Sequence, residues 1–370
     1  MVSCTNGVSA MNFFVKLLSV GEKLHLQNVR QQSTKAYKLI YSDYGDPAKV
    51  VKLEEESLPP PKRGEVLVKM LAAPVNPADI NTIQGVYPVK PKLPAIGGNE
   101  GVGVVEEVGE GVKRVKKGDW VLPRDTGWGT WRTHAVSRER DFIKIPSTIG
   151  VVNAATLAVN PCTAYRMLKD FVSLKPSETV MQNGANSAAG QCVIQLCKAW
   201  GIHSINIVRD RPDIDDLKKY LHSIGATHVL TESEVRTTEI FKSGQVPKPK
   251  LAFNCVGGKS SLELMRHLDF QGWMITYGGM SREPITVPTS SLIFKDICLR
   301  GFWMTRWCSL NSTSKKREDM ILELADMVSR GDLRAPAHSL MPLSKYKETL
   351  EQSFSVKGFA GKKYIIDFQG

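Results

Sequence analysis

Alternating apolar and polar positions dominate the first third of the chain after residue 35. The runs 36–41, 50–53, 65–73 and 101–108 have the composition of strands and are separated by glycine and proline, while 118–121 reads as a turn entering another strand. Short runs with this punctuation predict a β-rich, barrel-like domain.

The pattern changes after residue 147. Residues 152–168 predict one continuous helix. Beyond residue 175, strands at 179–182, 202–208, 228–230, 251–255 and 274–277 alternate with helices at 188–200, 214–224, 232–241 and 260–268. Alternation of this kind predicts an α/β domain, a Rossmann-type parallel sheet with helices on both faces.

The last fifty residues return to the style of the first part. Helices are predicted at 317–330 and 345–353, and a closing strand at 363–367. We therefore predict that a nucleotide-binding domain, residues 156–310, is inserted into a β-rich catalytic domain formed by residues 35–155 and 311–370.

Residues 1–34 differ from the rest of the chain. They contain three basic residues, Lys16, Lys23 and Arg30, but only one acidic residue, Glu22. The apolar residues between 13 and 26 are spaced so that they would share one face of a helix. This composition is typical of a mitochondrial presequence and predicts the mitochondrial matrix. A secretory signal is the rival interpretation, but Lys16 interrupts the short apolar stretch. An unstructured tail is the third.

Composition and charge argue against several classes of function. An apolar fraction of 42% in 370 residues is enough for a large core. The net charge of +12 comes from scattered basic residues whose densest short cluster is Lys315–Arg317, so we predict no nucleic-acid partner. No apolar run reaches eighteen residues, which argues against a membrane span. Seven cysteines without a Cys-x-x-Cys pair favour a reducing compartment.

The turn after the first strand of the parallel sheet is the place where such domains bind phosphate. Here it spans Asn183–Gly190 and departs from Gly-x-Gly-x-x-Gly, keeping only Gly190 at the position that packs helix against strand. An ordinary strand-to-helix turn fits this motif equally well, and the surrounding alternation of strands and helices favours a nucleotide site.

The end of the second strand indicates which cofactor binds. An NAD site places an acidic residue there, about twenty residues after the turn, whereas this chain has Arg209-Asp210-Arg211. Guanidinium groups bind a 2′-phosphate that a carboxylate would repel, so we predict NADPH. A contact between Asp210 and the ribose stays open as an alternative. Taken alone, either arginine is explained equally well by a surface salt bridge.

The order of these motifs resembles the medium-chain dehydrogenase/reductase superfamily over residues 35–370. Residues 98–103, Gly-Asn-Glu-Gly-Val-Gly, are similar to its Gly-His-Glu-x-x-Gly signature, with Asn99 in place of histidine. Within the superfamily, residues 76–81, 83–87, 159–166, 254–261, 277–280 and 300–303 most resemble mitochondrial 2-enoyl thioester reductases. Asn99 and the lack of a Cys ligand in residues 75–81 predict a site without metal.

The resemblance implies a GroES-like catalytic domain, a homodimer, NADPH as cofactor, and an enoyl thioester of acyl carrier protein or CoA as substrate. It also implies a set of residues that contact NADPH: Asn160, Asn186, Ser187, Ala188, Ala189, Arg209, Asp210, Arg211, Tyr277, Gly278, Gly279, Met280, Phe302, Trp303, Met304, Thr305 and Lys363. The turn departs from the family at Ala188, where the family often keeps glycine.

Tyr87 is the catalytic residue that the resemblance implies. Hydride addition to an enoyl thioester drives negative charge onto the thioester oxygen, and a phenol, protonated at neutral pH, is a suitable donor. Without the resemblance, a surface or core tyrosine is the better interpretation, and Phe302 and Trp303 fit a pocket wall or simple core packing. Zinc-free quinone or alkenal reduction and non-catalytic NADPH binding stay open as alternatives.

Overall fold

The computed structural model of the chain describes residues 33–354 and 362–370. The predicted presequence therefore lies almost wholly outside the described residues, and the first strand already begins at Thr34. No helix within the described ranges combines the length and apolarity needed to cross a membrane.

The first part of the chain is built from short strands. The strands are β1 (Thr34–Tyr41), β2 (Lys52–Leu58), β3 (Glu65–Pro74), β4 (Ala95–Ile96), β5 (Val102–Val108), β6 (Trp120–Pro123), β7 (His134–Arg138) and β8 (Phe142–Ile145). Two helices interrupt them, α1 (Pro47–Val50) and α2 (Pro77–Ile83), and 3-10 turns lie at Glu139–Asp141 and Ser147–Ile149. The long run of β3 is apolar and buried, as expected for a central strand.

The middle of the chain alternates strands and helices. In chain order the elements are α3 (Val151–Ala155), α4 (Asn160–Asp170), β9 (Thr179–Gln182), α5 (Ala188–Ala199), β10 (His203–Val208), α6 (Ile214–Ser223), β11 (His228–Thr231), β12 (Leu251–Asn254), α7 (Gly258–His267), β13 (Trp273–Thr276), α8 (Thr289–Ile293), β14 (Cys298–Gly301) and α9 (Met304–Leu310). The six strands form one all-parallel sheet in the order β11-β10-β9-β12-β13-β14, which confirms the Rossmann-type domain.

The C-terminal elements return to the first part. They are α10 (Lys315–Ser329), β15 (His338–Pro342), α11 (Tyr346–Phe354) and β16 (Lys363–Asp367), with a 3-10 turn at Leu343–Lys345. β16 pairs with β3, so the larger sheet runs β15-β16-β3-β5-β6-β8 with β7 also on β3, while β2, β1 and β4 form a small second sheet. This return confirms the insertion of one domain into the other, while the boundaries at 155/156 and 310/311 stay predictions.

Two helix predictions were wrong. The helix predicted for residues 152–168 is divided into α3 and α4, because Pro161 starts a new helix and the amide of Val159 donates to Glu100 Oε2 at 2.9 Å instead of continuing the first helix. The helix predicted for residues 232–241 is reduced to a 3-10 turn at Glu234–Arg236, which fits the poor helix propensity of Thr237 and Thr238.

One buried apolar cluster joins the two parts. It contains Leu122 from β6, Val180 from β9, Leu324 from α10 and Ile365 from β16, all at most 1% exposed. Because these side chains come from distant parts of the chain, the catalytic and nucleotide-binding parts share a continuous core. The carboxyl ends of the parallel strands are held next to the catalytic sheet as a result.

Candidate active site

Most of the predicted cofactor residues lie at the carboxyl edge of the parallel sheet. The turn 183–190 follows β9, Arg209 follows β10, Tyr277 follows β13 and Phe302 follows β14. Backbone bonds fix the last two: Tyr277 N donates to Asn254 O at 3.0 Å and Phe302 N to Thr276 O at 2.9 Å. Ligands of open parallel sheets bind at this edge.

The turn after β9 is tight and is capped by its own serine. Ser187 is the N-cap of α5, and its hydroxyl accepts the amide of Gly190 at 3.1 Å. A Cβ on Gly190 would lie 2.5 Å from Ala185 O, so only glycine allows this approach of helix to strand. The remaining amides at the start of α5, including those of Ala188 and Ala189, form a helix N-terminus suited to a phosphate.

In the Arg209-Asp210-Arg211 segment the carboxylate is held by hydrogen bonds within the protein. Both carboxylate oxygens of Asp210 accept hydrogen bonds from Ser233, one from its hydroxyl at 2.6 Å and one from its amide at 3.2 Å. The hydrogen bond from the Ser233 hydroxyl is the main cause that lowers the pKa of Asp210. Nε of Arg211 is buried and has no hydrogen-bond partner among the described residues. An unpaired buried guanidinium nitrogen next to Arg209 is compatible with binding of a 2′-phosphate.

Tyr87 and Trp303 meet across the boundary between the two parts. Trp303 Nε1 donates to Tyr87 Oη at 2.6 Å, and the rings meet edge-to-face with centroids 5.9 Å apart. Tyr87 is half-buried, and its own amide donates to Asn81 O at the end of α2 at 3.1 Å. Because the phenol oxygen accepts from the indole, its hydrogen is free to point elsewhere.

Tyr87 borders a cleft of about 400 Å³. The cleft has an aromatic and polar lining that includes Tyr41, Asp79, Asn99, Trp128 and Thr305. Its volume is within the range of small-molecule sites. Since Thr305 belongs to α9 and the others to the catalytic part, the cleft opens between the two parts of the chain, next to the end of β14 where a nicotinamide would lie.

A buried polar cluster lies behind the cleft wall. Lys363, on β16, donates to Asn76 Oδ1 and lies 3.8 Å from Glu100 Oε1. Asn76 Nδ2 donates to Glu100 at 2.9 Å, and Asn160 Nδ2 donates to Asn76 Oδ1 at 3.3 Å. Two predicted cofactor residues, Asn160 and Lys363, therefore meet at one carboxamide.

Asp79 extends this cluster to the cleft. Its carboxylate accepts from Asn99 Nδ2 at 2.6 Å and from the amide of Asn76 at 2.7 Å. Burial raises the pKa of Asp79 to about 7, while the hydrogen bond from Asn76 and the charge of Lys363 oppose the rise. Burial likewise raises the pKa of Glu100 and lowers that of Lys363.

The donor set of this cluster does not fit zinc. Zinc sites use cysteine, histidine or carboxylate ligands, whereas Asn99 stands at the signature histidine position and the ammonium of Lys363 lies against Glu100. A dication beside that ammonium would meet a like charge. The described residues also contain no group of three or more His, Cys, Asp or Glu arranged to hold a metal ion.

The structure thus separates the predicted cofactor residues into two groups. Asn160 and Lys363 belong to the buried cluster. The other cofactor residues lie at the carboxyl edge of the parallel sheet, where Gly278, Gly279 and Met280 follow β13 and Met304 and Thr305 begin α9, while Tyr87 lies after α2 in the catalytic part. Sequence reasoning assigned no role to Asp79 or Glu100. Asp79 lies in the motif at 76–81 and Glu100 in the motif at 98–103, but nothing local in the sequence marks either side chain as buried.

The fold and the site define a medium-chain dehydrogenase/reductase, a GroES-like catalytic part with an inserted dinucleotide-binding domain. Residues 62–147 match the family model described as alcohol dehydrogenase GroES-like domain, and residues 188–323 match the one described as zinc-binding dehydrogenase. The chain is 52% identical over 331 residues to mitochondrial enoyl-[acyl-carrier-protein] reductase of Homo sapiens, covering 89% of this chain and 87% of the human protein.

Solved structures agree. The complex of Etr1p with NADP and crotonyl-CoA and the Etr1p/Etr2p heterodimer from Candida tropicalis, a mitochondrial 2-enoyl thioester reductase, each have a TM-score of 0.83 at 35% identity. Each comparison covers 90% of this chain and 100% of the other. The chain belongs to the mitochondrial enoyl-[acyl-carrier-protein] reductase family, which confirms the resemblance found in its motifs.

Proposed function

We propose that Tyr87 is the catalytic residue of an NADPH-dependent reduction of trans-2-enoyl thioesters to saturated acyl thioesters in mitochondrial fatty acid synthesis. Family membership carries the reaction, the cofactor and the mitochondrial location. The observation that carries the residue is the hydrogen bond of 2.6 Å from Trp303 to the oxygen of Tyr87 at the edge of the cleft.

Bound NADPH supplies a hydride to the β-carbon of the substrate. The electron pair of the double bond then moves toward the α-carbon and the thioester oxygen. Tyr87 donates a hydrogen bond to the developing negative charge and passes its proton to the α-carbon, and the phenolate oxygen regains a proton from water. The indole N–H of Trp303 stabilises the phenolate while it exists.

The cofactor contacts are proposed on the same basis. The turn Asn186–Ala189 binds the pyrophosphate, Arg209 and Arg211 bind the 2′-phosphate, and the loops beginning at Tyr277 and Phe302 enclose the nicotinamide side. Asn160 and Lys363, which both donate to Asn76 Oδ1 in the buried cluster, would contact the nicotinamide side of the cofactor.

The direct test is NADPH oxidation with crotonyl-CoA, repeated with NADH and with quinones and alkenals as substrates. We expect turnover with the thioester and NADPH, and loss of about 100-fold or more in Tyr87→Phe with NADPH binding retained. Faster turnover of quinones than of the thioester would favour the neighbouring reductase activity. Wild-type turnover in Tyr87→Phe would refute the role of the phenol.

We propose an acyl carrier protein as the carrier of the acyl group. The chain carries a formal charge of +12, and the cleft-lining Lys92 and the nearby Lys90 are exposed. An acidic carrier would be attracted to these lysines, and salt would weaken the attraction. Raising the salt concentration should therefore lower kcat/KM for the carrier-bound substrate more than for an uncharged N-acetylcysteamine thioester. Equal losses would contradict the carrier proposal.

We propose a homodimer formed through the edge of the parallel sheet. β14 is the last strand in the sheet order, and the preceding segment exposes Leu292, Ile293 and Phe294, the last of them 75% exposed. Exposed apolar side chains beside an open strand edge favour pairing with a second copy. Sedimentation should give a dimer and Phe294→Glu should shift it to the monomer; a monomeric wild type would contradict the proposal.

A further inference from the structure

Asp79 connects the cleft wall to the start of a short helix. One carboxylate oxygen accepts from Asn99, and the other accepts from the amide of Asn76, the residue before α2. Asp79 is only 2% exposed and Asn76 only 3%, whereas Asn99 is partly exposed in the cleft wall. Loss of the carboxylate would leave the buried amide of Asn76 and the side-chain amide of Asn99 without this acceptor.

The far end of that helix holds Tyr87. The amides of Val86 and Tyr87 both donate to Asn81 O, at 3.0 and 3.1 Å. Asp79 and Asn81 both belong to the seven-residue helix α2, two positions apart, so the carboxylate and the carbonyl that holds the backbone of Tyr87 lie in one short helix. A displacement at the start of α2 would be passed to Tyr87.

The same residue is linked to the cofactor side of the site. Asn76, whose amide Asp79 holds, uses its side-chain oxygen to accept from both Lys363 and Asn160. Asp79, Asn76 and α2 thus form one continuous hydrogen-bonded connection between the proposed nicotinamide residues and Tyr87.

We propose that Asp79 is a positioning residue for enoyl reduction, whose ionised carboxylate sets the place of Tyr87 relative to Asn160 and Lys363. The inference rests on the proposed function of Tyr87 and adds a residue to it. Asp79 itself touches no reacting atom.

The ionised form is the one that the geometry requires. Both oxygens face N–H donors, and a protonated carboxyl would present a hydrogen to one of them and lose that bond. The titratable groups that face Asp79 are Tyr41 on β1, Glu100 before β5 and Lys363 on β16. Since the pKa of Asp79 is raised to about 7, the arrangement is lost as pH falls through that value.

The test is the pH profile of kcat in three variants. Asp79→Asn should lower kcat roughly 10- to 100-fold, the cost of a small misplacement of reacting groups, and should abolish the fall of kcat on the acid side. Asn99→Ala removes a hydrogen bond that lowers the pKa of Asp79, so the fall should move to higher pH. The matched control is Asp46→Asn, which changes an exposed helix-capping carboxylate and should leave the profile unchanged.

Different outcomes separate the two proposals. An acid-side fall that is unchanged in Asp79→Asn overturns the positioning role, even if kcat drops, because a merely structural residue would lower kcat without moving the profile. If Asp79→Asn does not fold, as judged by circular dichroism, the shift in Asn99→Ala decides, and an unshifted profile overturns the inference. Failure of the wild-type protein to oxidise NADPH with crotonyl-CoA would instead refute the proposed function.

Discussion

Trp303→Phe removes one hydrogen bond and little else. Phenylalanine keeps an aromatic ring beside Tyr87 but lacks the indole N–H that donates to Tyr87 Oη at 2.6 Å. In the transition state that oxygen gains negative charge as its proton leaves. A hydrogen bond to a charged acceptor contributes about 1.5–3 kcal/mol. We therefore expect kcat to fall roughly 10- to 150-fold.

The assay is steady-state NADPH oxidation with crotonyl-CoA. Trp307→Phe is the matched control, because Trp307 lies on α9, the helix that Trp303 precedes, and stacks with Arg166 instead of Tyr87. If Trp303 acts through the phenol oxygen, its loss should add little to the loss already present in Tyr87→Phe. Additive losses in the double variant, or a kcat for Trp303→Phe equal to that of Trp307→Phe, would refute this reasoning.

Three further predictions concern the cofactor and stability. Replacing Arg209 and Arg211 with alanine should raise KM for NADPH by roughly tenfold or more while leaving KM for NADH almost unchanged; equal losses would count against the 2′-phosphate assignment. Gly97→Ala would place a Cβ 2.3 Å from buried Trp131, so the free energy of unfolding should fall by about 1–3 kcal/mol in urea titrations, and an unchanged value would show that the core yields. Asp79 binds its proton more tightly when folded, so its contribution to stability should decline by up to about 1.4 kcal/mol per pH unit as pH rises from about 4 to 7, measured against Asp79→Asn; a flat difference would contradict the raised pKa.

Local patterns were sufficient to predict most of the architecture. Alternation of short buried strands with amphipathic helices predicted the parallel sheet, and the positions of β9, β10, β12 and β13 agree within one or two residues. Pro161 was a local signal for the break between α3 and α4. The other cause, the hydrogen bond from the amide of Val159 to the carboxylate of Glu100, spans 59 residues of sequence. A hydrogen bond of that range leaves no periodic signal.

The candidate site, too, was predictable where it depends on local motifs and not where it depends on contacts between distant residues. Tyr87 was singled out only through its motif, since a tyrosine in a loop has many ordinary roles. Its contact with Trp303 joins residues 216 positions apart, and the buried cluster joins Asn76 to Lys363 over 287. Only the three-dimensional fold brings such residues together, so the chemistry of single motifs was predictable and their mutual support was not.

The last strand has a consequence for how the enzyme is made. β16 lies between β15 and β3 and carries Lys363 into the buried cluster. The nucleotide-binding sheet is completed by β14, earlier along the chain, so it can fold as a unit before β16 has been synthesised. The catalytic sheet takes strands from both sides of the inserted domain. Its buried lysine can therefore reach the site only after that whole domain has been made.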